Sequence, residues 1–232
     1  MRMSEKIYPI GIQNFEKIRK EGYFYIDKTA LIYRLVKTGS YYFLSRPRRF
    51  GKSLLISTLD AYFRGEKELF KGLAIEKLEK DWVQRPVLHI DLNIGKYDAP
   101  DSLDKILNEA LVKWESVFGT GAGESTLALR FKGVVERAYK QSGQRVAILV
   151  DEYDKPLLQA IGNEELQREY RNTLKPFYGV LKTMDGCIQF AMLTGVTKFG
   201  KVSVFSDLNN LEDLSMWNEY VTLCGVSNQE IH

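Results

Sequence analysis

The residues from Arg46 to Ser53 combine a glycine, a lysine and a hydroxyl side chain at the spacing of a phosphate-binding loop. They read R-P-R-R-F-G-K-S, which fits the pattern G-x-x-x-x-G-K-[ST] except that Arg46 stands at the first glycine. Gly51 lets backbone N–H groups close around a phosphate, and Lys52 brings a positive charge to its oxygens. The Ser53 hydroxyl suits Mg²⁺ at the start of a helix whose dipole favours anions. The stretch therefore predicts phosphate binding.

Two positions of the loop depart from the usual pattern. The β-carbon of Arg46 restricts the backbone and Pro47 removes one N–H donor, so guanidinium charge is expected to replace part of the cradle. A basic turn in solvent is the alternative interpretation. Ligand contacts are expected from Arg46, Pro47, Arg48, Arg49, Phe50, Gly51, Lys52, Ser53 and Leu54.

The segments on either side of the loop have the patterns that such a loop requires. Residues Tyr41 to Leu44 are a continuous apolar run, which predicts a buried strand. After the loop, one apolar face recurs at helical spacing through Leu54, Leu55, Thr58, Leu59, Tyr62 and Phe63. The loop is therefore predicted to join a strand to a helix.

A pair of carboxylates follows a second buried run, Val146 to Val150. Asp151 is expected to hold Mg²⁺ through water, opposite the serine of the loop. Because neighbouring side chains at a strand end point to opposite sides, Glu152 is expected to be the base that activates an attacking water, with Asp154 the next candidate. The alternative is an acidic start of a helix.

Strand-like and helix-like segments alternate along the chain. Apolar runs at 86–92, 187–193 and 220–224 predict three more strands, and periodic segments between the runs predict helices. This alternation predicts an α/β fold with a mostly parallel central sheet flanked by helices, and a ligand at the carboxyl ends of the strands.

Composition restricts the class of protein. The chain has 232 residues, and 33 Lys and Arg against 30 Asp and Glu give a net charge of +3, too balanced to indicate a polyanionic partner. No apolar run reaches the length of a membrane span, so no membrane partner and a cytoplasmic location are expected. Cys187 and Cys224 are far apart and the chain has two histidines, so a Cys/His metal site is not expected.

Four motifs together resemble the predicted AAA-ATPase-like family of prokaryotes, from the AAA+/STAND branch of P-loop NTPases. They are Tyr25–Thr29, Phe43–Leu54, Val150–Asp154 and Leu193–Thr197. The resemblance runs from about Tyr8 to Cys224, and it makes Arg46 the family's own variant of the loop. It implies a three-layer P-loop NTPase core of RecA/AAA type that uses ATP and Mg²⁺.

The resemblance also implies site roles and domain limits. Thr194 is expected to sense the γ-phosphate, and to act in catalysis with Lys52 and Glu152; the alternative is a threonine that only ends a strand. Residues 1–39 are expected to form an N-terminal segment, 40–200 the P-loop core, and 201–232 an exit towards a helical lid absent from this chain. Family members often continue into a nuclease-like domain, so nucleic acid is an expected partner through a fused or partner domain, and a homo-oligomer is also expected.

Three other functions stay open. A nucleotide-binding switch would use Lys52 and Ser53 without hydrolysis, a small-molecule kinase would need an acceptor pocket, and a nucleic-acid module would use the arginines of the loop. Arg48 and Arg49 are open both to a role as arginine fingers and to one within their own loop. The nucleobase that the site prefers stays open, as do the roles of Asp27 and Lys28.

Overall fold

A computed structural model describes residues 7–198, 204, 208, 210–226 and 230. Its centre is a five-stranded parallel sheet with the strand order β2-β3-β4-β1-β5. The strands are β1 (Tyr41–Ser45), β2 (Val87–Asp91), β3 (Val146–Asp151), β4 (Ile188–Gly195) and β5 (Glu212–Asp213). The α/β fold with a parallel central sheet is therefore confirmed.

Eight α-helices lie in the described part of the chain. They are α1 (Phe15–Lys20), α2 (Thr29–Thr38), α3 (Lys52–Phe63), α4 (Ala74–Leu78), α5 (Ser102–Phe118), α6 (Leu127–Ser142), α7 (Lys155–Gln159) and α8 (Glu164–Thr183). Short 3₁₀ turns lie at 67–70, 92–94, 185–187, 214–216 and 218–220. Helix α3 follows β1 through the loop, as the sequence predicts.

The two faces of the sheet are covered by different helices, because successive strand residues point to opposite sides. One face packs against α5, α6 and α8, and it carries Phe43, Ile148 and Leu193. The other face packs against α2 and α3, and it carries Tyr42, Leu149 and Met192. A smaller apolar cluster holds α1 and α4 against the outer side of α3. The result is the predicted three-layer arrangement.

The prediction of a strand at 220–224 is wrong. Asn218–Tyr220 form a 3₁₀ turn, residues 221–225 continue as turns, and the last strand in the described part of the chain is β5, several residues earlier. Tyr220, Leu223 and Cys224 are buried against the α2–α3 side of the sheet. The apolar run therefore reflects burial of a turn, which periodicity cannot tell from a short strand.

Asp27 lies one residue before the position of a conventional helix cap. Lys28 precedes α2, and the Asp27 carboxylate accepts the backbone N–H of Thr29 at 2.8 Å and its hydroxyl at 2.5 Å. The second carboxylate oxygen accepts the N–H of Ala74 at 2.7 Å. Asp27 thus ties the start of α2 to the start of α4.

Candidate functional site

The sheet topology brings three strand ends together. Strand β4 lies between β1 and β3, with Leu44 beside Thr194 and Val150 beside Leu193. All three strands run parallel, so the phosphate-loop sequence, the acidic residues and Thr194 emerge at one edge of the sheet. This is the edge at which ligands bind in open α/β sheets.

The loop enters the site at Arg46, which is fastened to its surroundings by backbone and side chain. Its N–H donates to the carbonyl of Gly195 at 3.1 Å. Its guanidinium donates to the carbonyl oxygens of Ser45 and Ser215, at 3.0 and 3.1 Å. Arg46 therefore anchors the base of the loop instead of presenting its charge to the cavity beside it.

The end of the loop has the backbone shape expected for a phosphate cradle. Gly51 has a left-handed φ of 83°, directly before the first residue of α3. Arg49 also lies in the left-handed region, at φ 67°, which costs energy for a residue with a β-carbon. Arg48 and Arg49 line a cavity of about 200 Å³, together with Ser53. These two arginines, unlike Arg46, can face a ligand there.

Lys52 is buried, with a relative exposure of 3%. Its Nζ lies 3.0 Å from Oε1 of Glu152, and it donates to the carbonyl oxygens of Arg46 and Pro47 at 3.1 and 3.3 Å. Lys52 is therefore part of the buried structure of the site, unlike an ordinary solvent-exposed loop lysine. A buried ammonium needs these partners.

Glu152 reaches the site from a turn and not from the strand itself. Strand β3 ends at Asp151, and Glu152 has a left-handed φ of 55°. The alternation of strand side chains, used to place it from the sequence, therefore does not apply. Burial raises the pKa of Glu152 above its ordinary value, against the opposing effect of the Lys52 ammonium. Lys52 and Glu152 form a paired acid and base within the cavity.

Asp151 and Thr194 form a second pair beside the first. Asp151 is 3% exposed, and its carboxylate accepts the hydroxyl of the fully buried Thr194. Asp151 and Ser53 line a common polar cavity of about 360 Å³ between α3 and β2. A hydroxyl and a carboxylate on one cavity are oxygen donors of the kind that Mg²⁺ uses, so the residues fit that ion.

Two residues that the sequence did not single out line the smaller cavity. Lys155 donates through its Nζ to Oδ1 of Asn93 at 2.7 Å, and both residues line the cavity with Glu152. Lys155 directly follows the D-E-Y-D stretch, so its place in the sequence is a usable signal. Asn93 has no comparable signal, because only the β2–β3 pairing brings it to this edge.

An apolar cavity of about 590 Å³ lies on the other side of Gly51. Phe50 and Leu54 line it, as do residues of the Tyr25–Thr29 motif and residues dispersed along the chain outside the four motifs. Its further lining includes Tyr8, Ile12, Phe24, Ile26, Ile32, Leu223 and Val226. An ion pair between Lys28 and Glu230 also lies on its wall. Of the predicted loop contacts, Arg46 and Pro47 line none of the three cavities.

A parallel α/β sheet with a glycine-lysine-serine loop between its strand and helix defines the chain as P-loop NTPase-like in fold. More closely, the chain belongs to the family described as "Predicted AAA-ATPase", whose model matches residues 9–205. That membership indicates nucleotide binding and ATPase chemistry as the class of function.

A relative supports the same grouping. The chain is 43% identical over 231 residues to an Azotobacter chroococcum mcd 1 protein described as "Uncharacterized protein in vnfD 5'region". The match covers 99% of this chain and 45% of the relative, so the chain spans less than half the length of that protein. Among the described residues, no helix is long and apolar enough to cross a membrane.

Proposed function

We propose that this chain binds ATP with Mg²⁺ and hydrolyses it slowly, as a switch or motor core. The observation that carries the proposal is the Lys52–Glu152 pair, 3.0 Å between charged atoms, beside the Asp151–Thr194 pair at one sheet edge. A phosphate-binding cation, a metal-binding carboxylate and a base are the parts that ATP hydrolysis requires.

Phosphate binding falls to the loop and its lysine. The first turn of α3 presents N–H groups and a favourable dipole, and Gly51 takes the backbone conformation that brings these groups inward. The Lys52 ammonium already lies at the cavity with Glu152 as its partner. When a triphosphate enters, its oxygens compete with Glu152 for this ammonium, and Arg48 and Arg49 add charge from the rim.

Ser53 and Asp151 would hold the metal ion. Mg²⁺, when bound, neutralises charge on the phosphate oxygens and orients them. Thr194 donates its hydroxyl to the Asp151 carboxylate, which holds the carboxylate in one orientation. This hydrogen bond supports the proposal that Thr194 senses the γ-phosphate, because a change at Thr194 would reach the Asp151 carboxylate directly.

Glu152 is the proposed base. Its burial favours proton uptake, and the Lys52 ammonium opposes that uptake as long as the two groups are paired. When the Lys52 ammonium pairs with phosphate instead of Glu152, its positive charge no longer opposes protonation of Glu152. The proton affinity of Glu152 should therefore rise when ATP is bound. The base is thus strengthened by the binding of its own substrate.

The apolar cavity is the proposed site of the adenine base. It adjoins the loop at Gly51 and Phe50, and its aliphatic and aromatic walls suit a flat heterocycle. The phosphates and the base would then lie on opposite sides of Gly51. Slow turnover is expected because the cavities are open and leave the reacting phosphate in contact with water.

Two measurements on the purified chain test the proposal: nucleotide affinity with and without Mg²⁺, and steady-state phosphate release. We expect Mg²⁺-dependent ATP affinity and slow release of phosphate. Affinity without release would favour a non-hydrolysing switch, and the absence of ATP binding would contradict the proposal. Lys113→Ala, an exposed lysine of α5, serves as a charge-matched control for Lys52→Ala.

A further inference from the structure

We propose that Asp154 is a positioning residue that locks Glu152 to the end of β4, so that Thr194 and Glu152 move as one unit. The proposal rests on the proposed ATPase function. Two segments make up the unit: the acidic turn, Asp151–Asp154, and the β4 exit, Thr194–Thr197. Asp154 joins them through Val196 and Thr197, whereas Asp151 contacts Thr194.

The Asp154 carboxylate is fully buried and lies against the backbone of the β4 exit. It accepts the N–H of Val196 at 3.1 and 3.2 Å through its two oxygens. It also accepts the N–H and the hydroxyl of Thr197, at 2.7 and 2.9 Å. Buried carboxylates with several N–H donors are held strongly in place. With its oxygens so engaged, Asp154 is unsuited to be the base that activates water.

The other residues of the acidic turn contact the same exit. The Tyr153 N–H donates to the carbonyl of Thr194 at 2.8 Å, and its hydroxyl donates to the carbonyl of Thr197 at 2.9 Å. Asp151 accepts the Thr194 hydroxyl. Glu152 is therefore flanked on both sides by residues bonded to the β4 exit, while its own side chain pairs with Lys52.

The left-handed backbone of Glu152 is a further sign that the turn is held. A residue with a β-carbon stays at φ 55° only where its neighbours define the conformation. The flanking bonds of Asp151, Tyr153 and Asp154 supply that definition. They aim the Glu152 carboxylate at the lysine of the loop.

The close approach of the two segments requires a glycine at position 195. A β-carbon there would lie 2.4 Å from the Tyr153 ring and 2.8 Å from Oδ1 of Asp154. The carbonyl of Gly195 also accepts the N–H of Arg46, and that of Val196 accepts the Ser45 hydroxyl at 3.0 Å. The unit therefore reaches the entrance of the phosphate loop.

Asp154→Asn tests the positioning role, because asparagine keeps the size but offers one acceptor oxygen in place of two. We expect Mg²⁺-ATP affinity within about threefold of wild type and a fall in kcat of about tenfold or more. Glu79→Gln is the matched control. Glu79 is likewise a buried carboxylate, held by Tyr62, by two backbone N–H groups and by the Lys37 ammonium at 2.8 Å, but it lines none of the three cavities. It should lower the thermal midpoint and leave kcat unchanged below that midpoint.

Thr197→Val and Tyr153→Phe keep the test decisive if Asp154→Asn does not fold. Each removes one bond between the acidic turn and the β4 exit, and each should lower kcat without weakening ATP binding. Thr194→Val combined with Thr197→Val should lower kcat by less than the product of the single effects, because both act on one unit.

Wild-type kcat in folded Asp154→Asn, or in both single variants, would overturn the positioning role while leaving the ATPase intact. A wild-type chain that binds ATP without turnover would instead overturn the base assignment and this proposal together.

Discussion

The two sides of Gly51 differ in how they are built. On the polar side, the cationic residues Arg48, Arg49 and Lys52 lie in one short loop with Ser53, and the acidic turn supplies the carboxylate of Glu152 from another short motif. On the apolar side, the cavity wall is assembled from the N-terminal segment, α2, α3 and the turns near residue 224. The polar side depends on a few charged contacts, whereas the apolar side depends on many small ones.

This difference predicts unequal sensitivity to single substitutions. Loss of one charged partner on the polar side leaves another charge buried, which is costly. Loss of one apolar wall residue removes only part of a large contact surface. Substitutions on the polar side should therefore affect turnover or all phosphate ligands, and those on the apolar side should affect only ligands that carry a base.

Glu152→Gln should show the largest effect. Turnover is expected to fall by about 100-fold or more, the scale for removal of a general base, while ATP binding is retained. Binding should even tighten, because the lysine of the loop loses its competing carboxylate. Phosphate release and isothermal titration measure the two quantities. Asp151→Asn is the matched variant, and it should weaken Mg²⁺-dependent binding as well.

Two outcomes would contradict this assignment. Equal loss of ATP binding in both variants would mean that the carboxylates act jointly on the metal or the fold. Undiminished hydrolysis in Glu152→Gln would place the base elsewhere.

Lys52→Ala should weaken binding of ATP and of tripolyphosphate alike, by about 100-fold, equivalent to about 2.7 kcal/mol. Both ligands rely on the same ammonium. A lower thermal midpoint is also expected, because Glu152 is left half-buried without its cation. Titration of both ligands into Lys52→Ala and Lys113→Ala checks this. Unchanged affinity in Lys52→Ala would refute the phosphate-loop assignment.

Ser53→Ala should mainly remove the metal-dependent part of binding. We expect about a tenfold loss of ATP affinity with Mg²⁺ and little change in EDTA, because the hydroxyl is one oxygen ligand among several. Paired titrations with and without the metal measure this ratio. A loss of equal size in EDTA would assign the hydroxyl to phosphate or to the fold.

Ile26→Asp tests the apolar side. A carboxylate in the proposed base cavity should lower ATP affinity by about tenfold and leave tripolyphosphate affinity within twofold. Ile161→Asp, an exposed isoleucine after α7, is the control and should change neither. If Ile26→Asp weakens both ligands equally, the cavity does not hold the base.

Lys28→Ala should have the smallest effect. It removes the mostly buried ion pair with Glu230 at the cavity wall. Because neither charge is assigned to a phosphate, ATP affinity should fall by only about threefold. The exchange Lys28→Glu with Glu230→Lys should restore most of it. A loss in Lys28→Ala that the exchange does not recover would assign Lys28 to direct ligand contact.

The same comparison explains what the sequence could predict. The sheet, α3 and the polar site follow from contiguous motifs, since the residues of each motif share one loop or strand end. The apolar cavity brings together residues as distant in the chain as Tyr8 and Val226, and no local sequence pattern predicts that they lie close to each other. The burial of Lys52 and the exit bonds of Asp154 likewise depend on pairing between strands that are distant in the chain. The buried turn at 220–224 was predicted as a strand because an apolar run indicates that a segment is buried but does not indicate its backbone conformation.

Arg46, the one letter that departs from the usual loop, has a mechanical consequence. Its guanidinium donates a hydrogen bond to the carbonyl of Ser215, and its own carbonyl accepts one from the Lys52 ammonium. Arg46 thus links the chain just after β5 to the Lys52 ammonium, the proposed phosphate-binding charge. A displacement of the segment around Ser215 would therefore shift Arg46, and with it the carbonyl oxygen that accepts the Lys52 ammonium.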